Sequence, residues 1–161
     1  MTAAVPPVPS TAPTGPTGRA TLLLMIPLNL TLVAWLWIGR LVFGVFGWFA
    51  LVLIPVVLIA LVALLITTVL ALTQKRRPLG LSRAERRWQW TVWTALFVGG
   101  AVLPDFGDTA DSQRSLLTQV FGFSDALFQV SFTIAGVAAV VAVAAWVGLF
   151  VSLLHGHRAR T

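Results

Sequence analysis

Apolar residues in this chain come in long unbroken runs, not in the one-sided stripe of a surface helix or the alternation of a half-buried strand. The runs are ATLLLMIPLNLTLVAWLWIG (residues 20–39), FALVLIPVVLIALVALLITTVLALT (49–73), WQWTVWTALFVGGAVL (88–103) and ALFQVSFTIAGVAAVVAVAAWVGLFVSLL (126–154). About 20 residues of helix cross a hydrocarbon layer. The first, second and fourth runs are long enough as they stand. The third becomes long enough if its helix starts earlier. Ser82 and Glu85 have the S-x-x-E spacing of a capping box, which predicts a helix over 83–103 ended by Pro104. The pattern predicts an all-α integral membrane protein: a four-transmembrane-helix bundle with helices over 20–39, 49–73, 83–103 and 126–154.

Polar punctuation adds three elements. Residues 1–18 hold five of the nine prolines and no charge, which predicts a disordered tail. It lacks the basic start of a signal peptide. The transmembrane domain then occupies 19–155, and 156–161 form a basic tail. Between the third and fourth spans, Leu116, Leu117, Val120 and Phe121 fall on one helical face. Ser112 is placed to cap that segment and Gly122 to end it, which predicts a short amphipathic surface helix.

Charge orients the layout. Of the 161 residues, 58% are hydrophobic and 10% charged, and the formal net charge is +6. The loop QKRRPLGLSRAERR carries Lys75, Arg76, Arg77, Arg83, Arg86 and Arg87 against Glu85. Arg19, Arg158 and Arg160 lie on the same side of a four-span layout. The other side holds Arg40 and Arg114 against four aspartates. The positive-inside rule puts both termini and the basic loop in the cytoplasm and the surface helix outside. Trp35, Trp37 and Trp48 at one end, and Trp88, Trp90, Trp93 and Trp146 at the other, are read as interfacial anchors. Richness in Ala, Val and Arg suggests a high-GC bacterium, hence a bacterial plasma membrane.

Candidate chemistry is sparse. There is no cysteine, which excludes disulfides, thiolate nucleophiles and Cys-ligated metals. Asp105, Asp108 and Asp111 recur every third residue. They are candidate ligands for a hard cation, but they lack the alternate-position pattern of a calcium loop. A solvated outer loop that tolerates acids is the preferred reading. His155 and His157 are two residues apart at a chain end, which suits an exposed terminus better than a haem or metal site. No ionisable residue is expected at membrane depth, where such groups mark proton and ion paths. Asn29, Thr31, Thr67, Thr68, Gln129, Ser131 and Thr133 are expected to hydrogen-bond between helices. Pro27 and Pro55 are expected to give mild kinks.

Two surfaces are expected to meet partners. Ser131, Ala135, Ala138, Ala142, Ala145, Gly148 and Ser152 form a small-residue stripe suited to close helix packing, within the chain or with another. The six basic residues of the 74–87 loop either attract anionic lipid headgroups or only set topology. Nucleic acid is disfavoured because those charges lie beside the headgroups. With no cofactor expected and no base-activated nucleophile, an enzyme is disfavoured. The leading functional expectation is a non-catalytic accessory, scaffold or assembly subunit of a larger bacterial membrane complex, with other membrane protein subunits or a second copy of the chain as partners. The alternative is a small homo-oligomeric channel or carrier.

Overall fold

The computed structural model of the protein describes residues 16–39, 41, 48–74, 79–105 and 115–158, with side chains throughout except at Pro16, His157 and Arg158. Five helices account for 88% of it, and no strand forms among the described residues. They are α1 (Pro16–Ile38), α2 (Phe49–Leu72), α3 (Arg83–Val102), α4 (Leu116–Phe121) and α5 (Asp125–Arg158). The stretches over 1–15, 42–47, 75–78, 106–114 and 159–161, with Arg40, lie outside the described residues.

Three helices are long and apolar enough to cross a membrane: Thr17–Ile38, Phe49–Leu72 and Asp125–Gly156. The third run behaves differently. α3 has 20 residues, about 30 Å at 1.5 Å per residue. Its length is therefore adequate. Its first two turns carry Arg83, Glu85, Arg86, Arg87 and Gln89, which dilute its apolar character.

The four long helices close a ring of contacts: α1 on α2, α1 on α3, α3 on α5, and α5 back on α2. The α3–α5 contact is the most extensive of these. Strand-like alternation is not needed to see the logic, because the polarity is inverted. Buried positions include Asn29, Thr67, Thr68, Gln89 and Ser131, whereas Leu51, Leu58, Ile59, Val69, Val137, Val140 and Val143 are exposed. In water an apolar patch of that extent would drive association. Against lipid it is simply the solvated surface. Met25, Leu149, Leu153 and Trp93 form one end of the apolar core, and Val33, Leu53, Val57, Val92 and Ala145 the other.

Several ends differ from expectation for local reasons. α1 starts at Pro16, ahead of residue 20, with proline in a first-turn position where its missing N–H costs nothing. Its start is held by Leu81, whose N–H donates to the Gly18 carbonyl at 3.2 Å. A Cβ on Gly18 would lie 2.5 Å from the Leu81 oxygen, so this approach requires glycine. The α3 capping box forms as the spacing predicts: Glu85 N–H donates to Ser82 Oγ (3.3 Å) and Ser82 N–H to Glu85 Oε2 (2.7 Å). The α4 cap is Ser115, not Ser112. Ser115 Oγ accepts from Thr118 N–H at 3.2 Å, and Thr118 Oγ1 accepts from Ser115 N–H at 2.8 Å. Gly122, with φ 87°, ends the helix. Leu116 and Leu117 are half-buried while Val120 and Phe121 face out.

α5 has 34 residues, about 51 Å, well beyond the roughly 30 Å of a hydrocarbon core. It therefore tilts or projects. It runs through Arg158, so His155 and His157 lie on a helix and the expected tail from 156 begins inside one.

Candidate functional site: a polar cluster shared by three helices

The chemistry of the interior centres on Asn29 of α1. Its Nδ2 donates to Thr68 Oγ1 on α2 at 3.0 Å. Its Oδ1 accepts from Trp93 Nε1 at 2.7 Å and from Gln89 Nε2 at 3.3 Å, both on α3. Thr68 Oγ1 passes its proton on to the Leu64 carbonyl at 2.7 Å. All four side chains are buried.

The orientation of this network follows from one donor. An indole N–H can only donate, so Trp93 fixes the oxygen of the Asn29 amide towards α3. The Asn29 amino group then faces Thr68. Gln89, meeting an oxygen, must present its own amino group. Its carbonyl is thereby turned away, and Gln89 Oε1 has no hydrogen-bond partner among the described residues. An unsatisfied buried acceptor costs on the order of 1–3 kcal/mol, so this group is the one frustrated point of the network.

α3 continues the same inward face in both directions. One turn before Gln89, Glu85 is 1% exposed and its Oε1 accepts from Gln74 Nε2 at 3.3 Å. Glu85 is thus more than a helix cap: it also ties α3 to the segment that follows α2. Two turns beyond Gln89, the Phe97 carbonyl accepts from Trp35 Nε1 at 3.1 Å, and the two rings stack 5.4 Å apart. A Cβ on Gly100 would strike the Trp35 ring at 2.8 Å. From Arg86 beside Thr17 to Gly100 beside Leu36, α3 runs alongside α1 in the same direction.

The other face of α3 meets the small-residue stripe. Ala135, Ala138 and Ala145 are buried, and the Ala138 methyl lies 3.5 Å from where a Gly99 Cβ would stand. Gly148 accommodates the Trp88 ring, which a Cβ would strike at 2.8 Å. Ser131 Oγ bonds Ser115 Oγ at 2.8 Å, fixing α4 to α5. Ala142 and Ser152 are half-buried on the same side. A second chain using this stripe would have to displace α3. Gly136 opens outward, with nothing within 4 Å of its Cβ position, and Ala139 and Ala144 are exposed as well.

The aspartate triplet divides. Asp105 is buried, and its Oδ1 accepts from the Phe49 N–H at 3.2 Å. It serves the N-terminus of α2, where Trp48 provides no side-chain cap and a carboxylate meets the positive end of the helix dipole. It is not an exposed loop acid. Asp108 and Asp111 lie outside the described residues. Among the described residues no group of three His, Cys, Asp or Glu side chains is arranged to hold a metal ion.

The basic loop also divides. Arg83 and Arg87 are exposed, whereas Arg86 is half-buried and donates to Thr17 Oγ1. Lys75, Arg76 and Arg77 lie outside the described residues.

Two further tryptophans make hydrogen bonds within the bundle, as Trp35 and Trp37 do. Trp93 is buried in the network, and Trp146 donates to the Ala63 carbonyl in mid-α2 at 3.0 Å.

The expectation of interhelical hydrogen bonds holds for Asn29, Thr68 and Ser131, fails for Thr31, Thr67 and Thr133, whose hydroxyls donate to carbonyls of their own helix, and misses Gln89 and Trp93. The available signal was helical spacing: Glu85, Gln89 and Trp93 share one face, next to the turn where charge enters the helix.

No protein-family model, curated protein or solved structure matches the chain.

Proposed function

We propose that the protein is a non-catalytic integral membrane subunit, serving as an accessory, scaffold or assembly element within a larger bacterial membrane complex. The observation that carries this reading is the use of the interior polar groups. Asn29, Thr68, Gln89 and Trp93 bond one another, and Ser131 bonds Ser115. Side chains that line a transport path or a catalytic centre face a cavity, whereas these hold helices together.

In this reading α3 is a fourth crossing. Its support is the shared direction and common depth of α3 and α1. With four crossings, the positive-inside rule places both termini and the 74–87 loop in the cytoplasm and α4 on the outer side. Arg83 and Arg87 then stand at the inner headgroups, where anionic lipid is the attracting partner.

The test is affinity purification of the full chain from its native membrane in a mild detergent. The reading expects the same membrane subunits to co-purify in fixed stoichiometry. It also expects liposomes containing the chain alone to pass no protons or common ions above background. A homo-oligomer giving saturable flux would replace it with the channel or carrier alternative.

A further inference from the structure

A groove of about 410 Å³ runs between α3 and α5 on the side facing away from the Asn29 network. Trp90, Thr94 and Val98 of α3 face Ile134, Val137 and Val141 of α5 across it. In a membrane an apolar groove is not by itself a binding site. Lipid chains elsewhere are as apolar as the groove, so filling it gains little. Selectivity has to come from a polar end.

This groove has one. Arg83, Arg87, Thr91, Thr94 and Val98 follow at intervals of four, four, three and four residues, which is one face of a helix. Arg83 and Arg87 therefore stand on the same face as the groove wall, with Arg87 about 6 Å of helix rise from Thr91. Both are exposed, and neither pairs with a carboxylate among the described residues. Arg86, between them, is turned to Thr17 instead. The two free arginines also occupy the first two turns of α3, where the helix dipole disfavours cations. A phosphodiester would relieve that repulsion and accept hydrogen bonds from both guanidiniums.

We infer that the α3–α5 groove is a site for one anionic phospholipid, with its phosphate on Arg83 and Arg87 and an acyl chain lying along Thr94, Val98 and Val137. The inference rests on the membrane placement proposed above, not on the subunit role. A failed co-purification would leave it standing.

The test is native mass spectrometry of the full-length chain in mild detergent. The probes are phosphatidylglycerol and phosphatidylcholine with identical acyl chains. One phosphatidylglycerol per chain is expected to be retained in preference to phosphatidylcholine. Each arginine near a charged surface contributes about fivefold, so the Arg83→Gln/Arg87→Gln pair should weaken retention roughly twenty-five-fold. Val137→Trp changes an exposed residue and fills the groove without altering charge. It should weaken retention at least fivefold, with the helical circular dichroism unchanged. Arg19→Gln, an exposed basic residue on α1, should change it less than twofold.

Equal losses in Arg19→Gln would mean diffuse attraction and overturn the site. So would retention that ignores headgroup charge, or that survives Val137→Trp. A dimer of the chain that dissociates in Val137→Trp would make the groove an interface between copies and overturn the lipid assignment.

Discussion

α3 is held on its two sides by different physics. Towards α1 and α2 it uses hydrogen bonds from Gln89 and Trp93 to Asn29, and from Gln74 to Glu85. Towards α5 it uses close approach, with Ala138 opposite Gly99 and Trp88 laid over Gly148. Lipid removes the hydrophobic drive between helices, so directed polar bonds and tight packing are what remain. The polar side is specific but frustrated, because Trp93 fixes one amide and leaves the Gln89 carbonyl unpaired. The packed side relies on shape: apart from the groove at Thr94 and Val137, it leaves no room at Ala145 or at Gly148. The first should therefore tolerate change in shape and punish change in hydrogen bonding. The second should do the reverse.

Ala145 is 1% exposed and packs with Val92 and Val33. Ala145→Phe should destabilise by about 3 kcal/mol, the upper end for overpacking, read as the midpoint of unfolding followed by tryptophan fluorescence. A small effect would mean that the α3–α5 contact yields easily.

Asn29→Leu comes next. It strands the Trp93 indole N–H and the Gln89 amino group. It should cost about 2 kcal/mol in the same assay, and the Trp93 environment should shift in the emission spectrum. An unchanged midpoint would show that these donors find other partners easily.

Gly148→Ala places a methyl against Trp88, whose ring is partly exposed and able to move. About 1 kcal/mol is expected. Trp88→Ala should restore the loss in a double-mutant cycle, and failure to do so would remove the notch from the account.

The smallest effect belongs to Gln89→Met. It removes one hydrogen bond at 3.3 Å together with the unpaired carbonyl. The two losses should offset to within about 0.5 kcal/mol. A cost as large as that of Asn29→Leu would mean that the carbonyl has a bound partner.

The sequence made some of this legible and hid the rest. Long apolar runs gave three spans directly, and the Ser82–Glu85 spacing fixed the start of α3. Both signals are local. What stayed hidden needed a neighbour. Asp105 reads as a loop acid until the start of α2 is brought beside it. Trp93 and Trp146 read as interfacial because indoles favour that depth, and only packing reveals their carbonyl and amide acceptors. Gln89 was overlooked because it sits among residues counted as headgroup-proximal, although its face of α3 points inward. The small-residue stripe was legible as a packing surface. Its neighbour was not, since composition does not distinguish α3 from another chain.

In the proposed layout α3 crosses the membrane beside α1. The chain has no cysteine, so single cysteines at exposed Ala84, at the start of α3, and exposed Gln119, in α4, can be labelled without background. In intact cells a membrane-impermeant maleimide should modify Gln119→Cys and spare Ala84→Cys until the membrane is opened. Labelling of both from the same side would show that α3 does not cross, and would contradict the account.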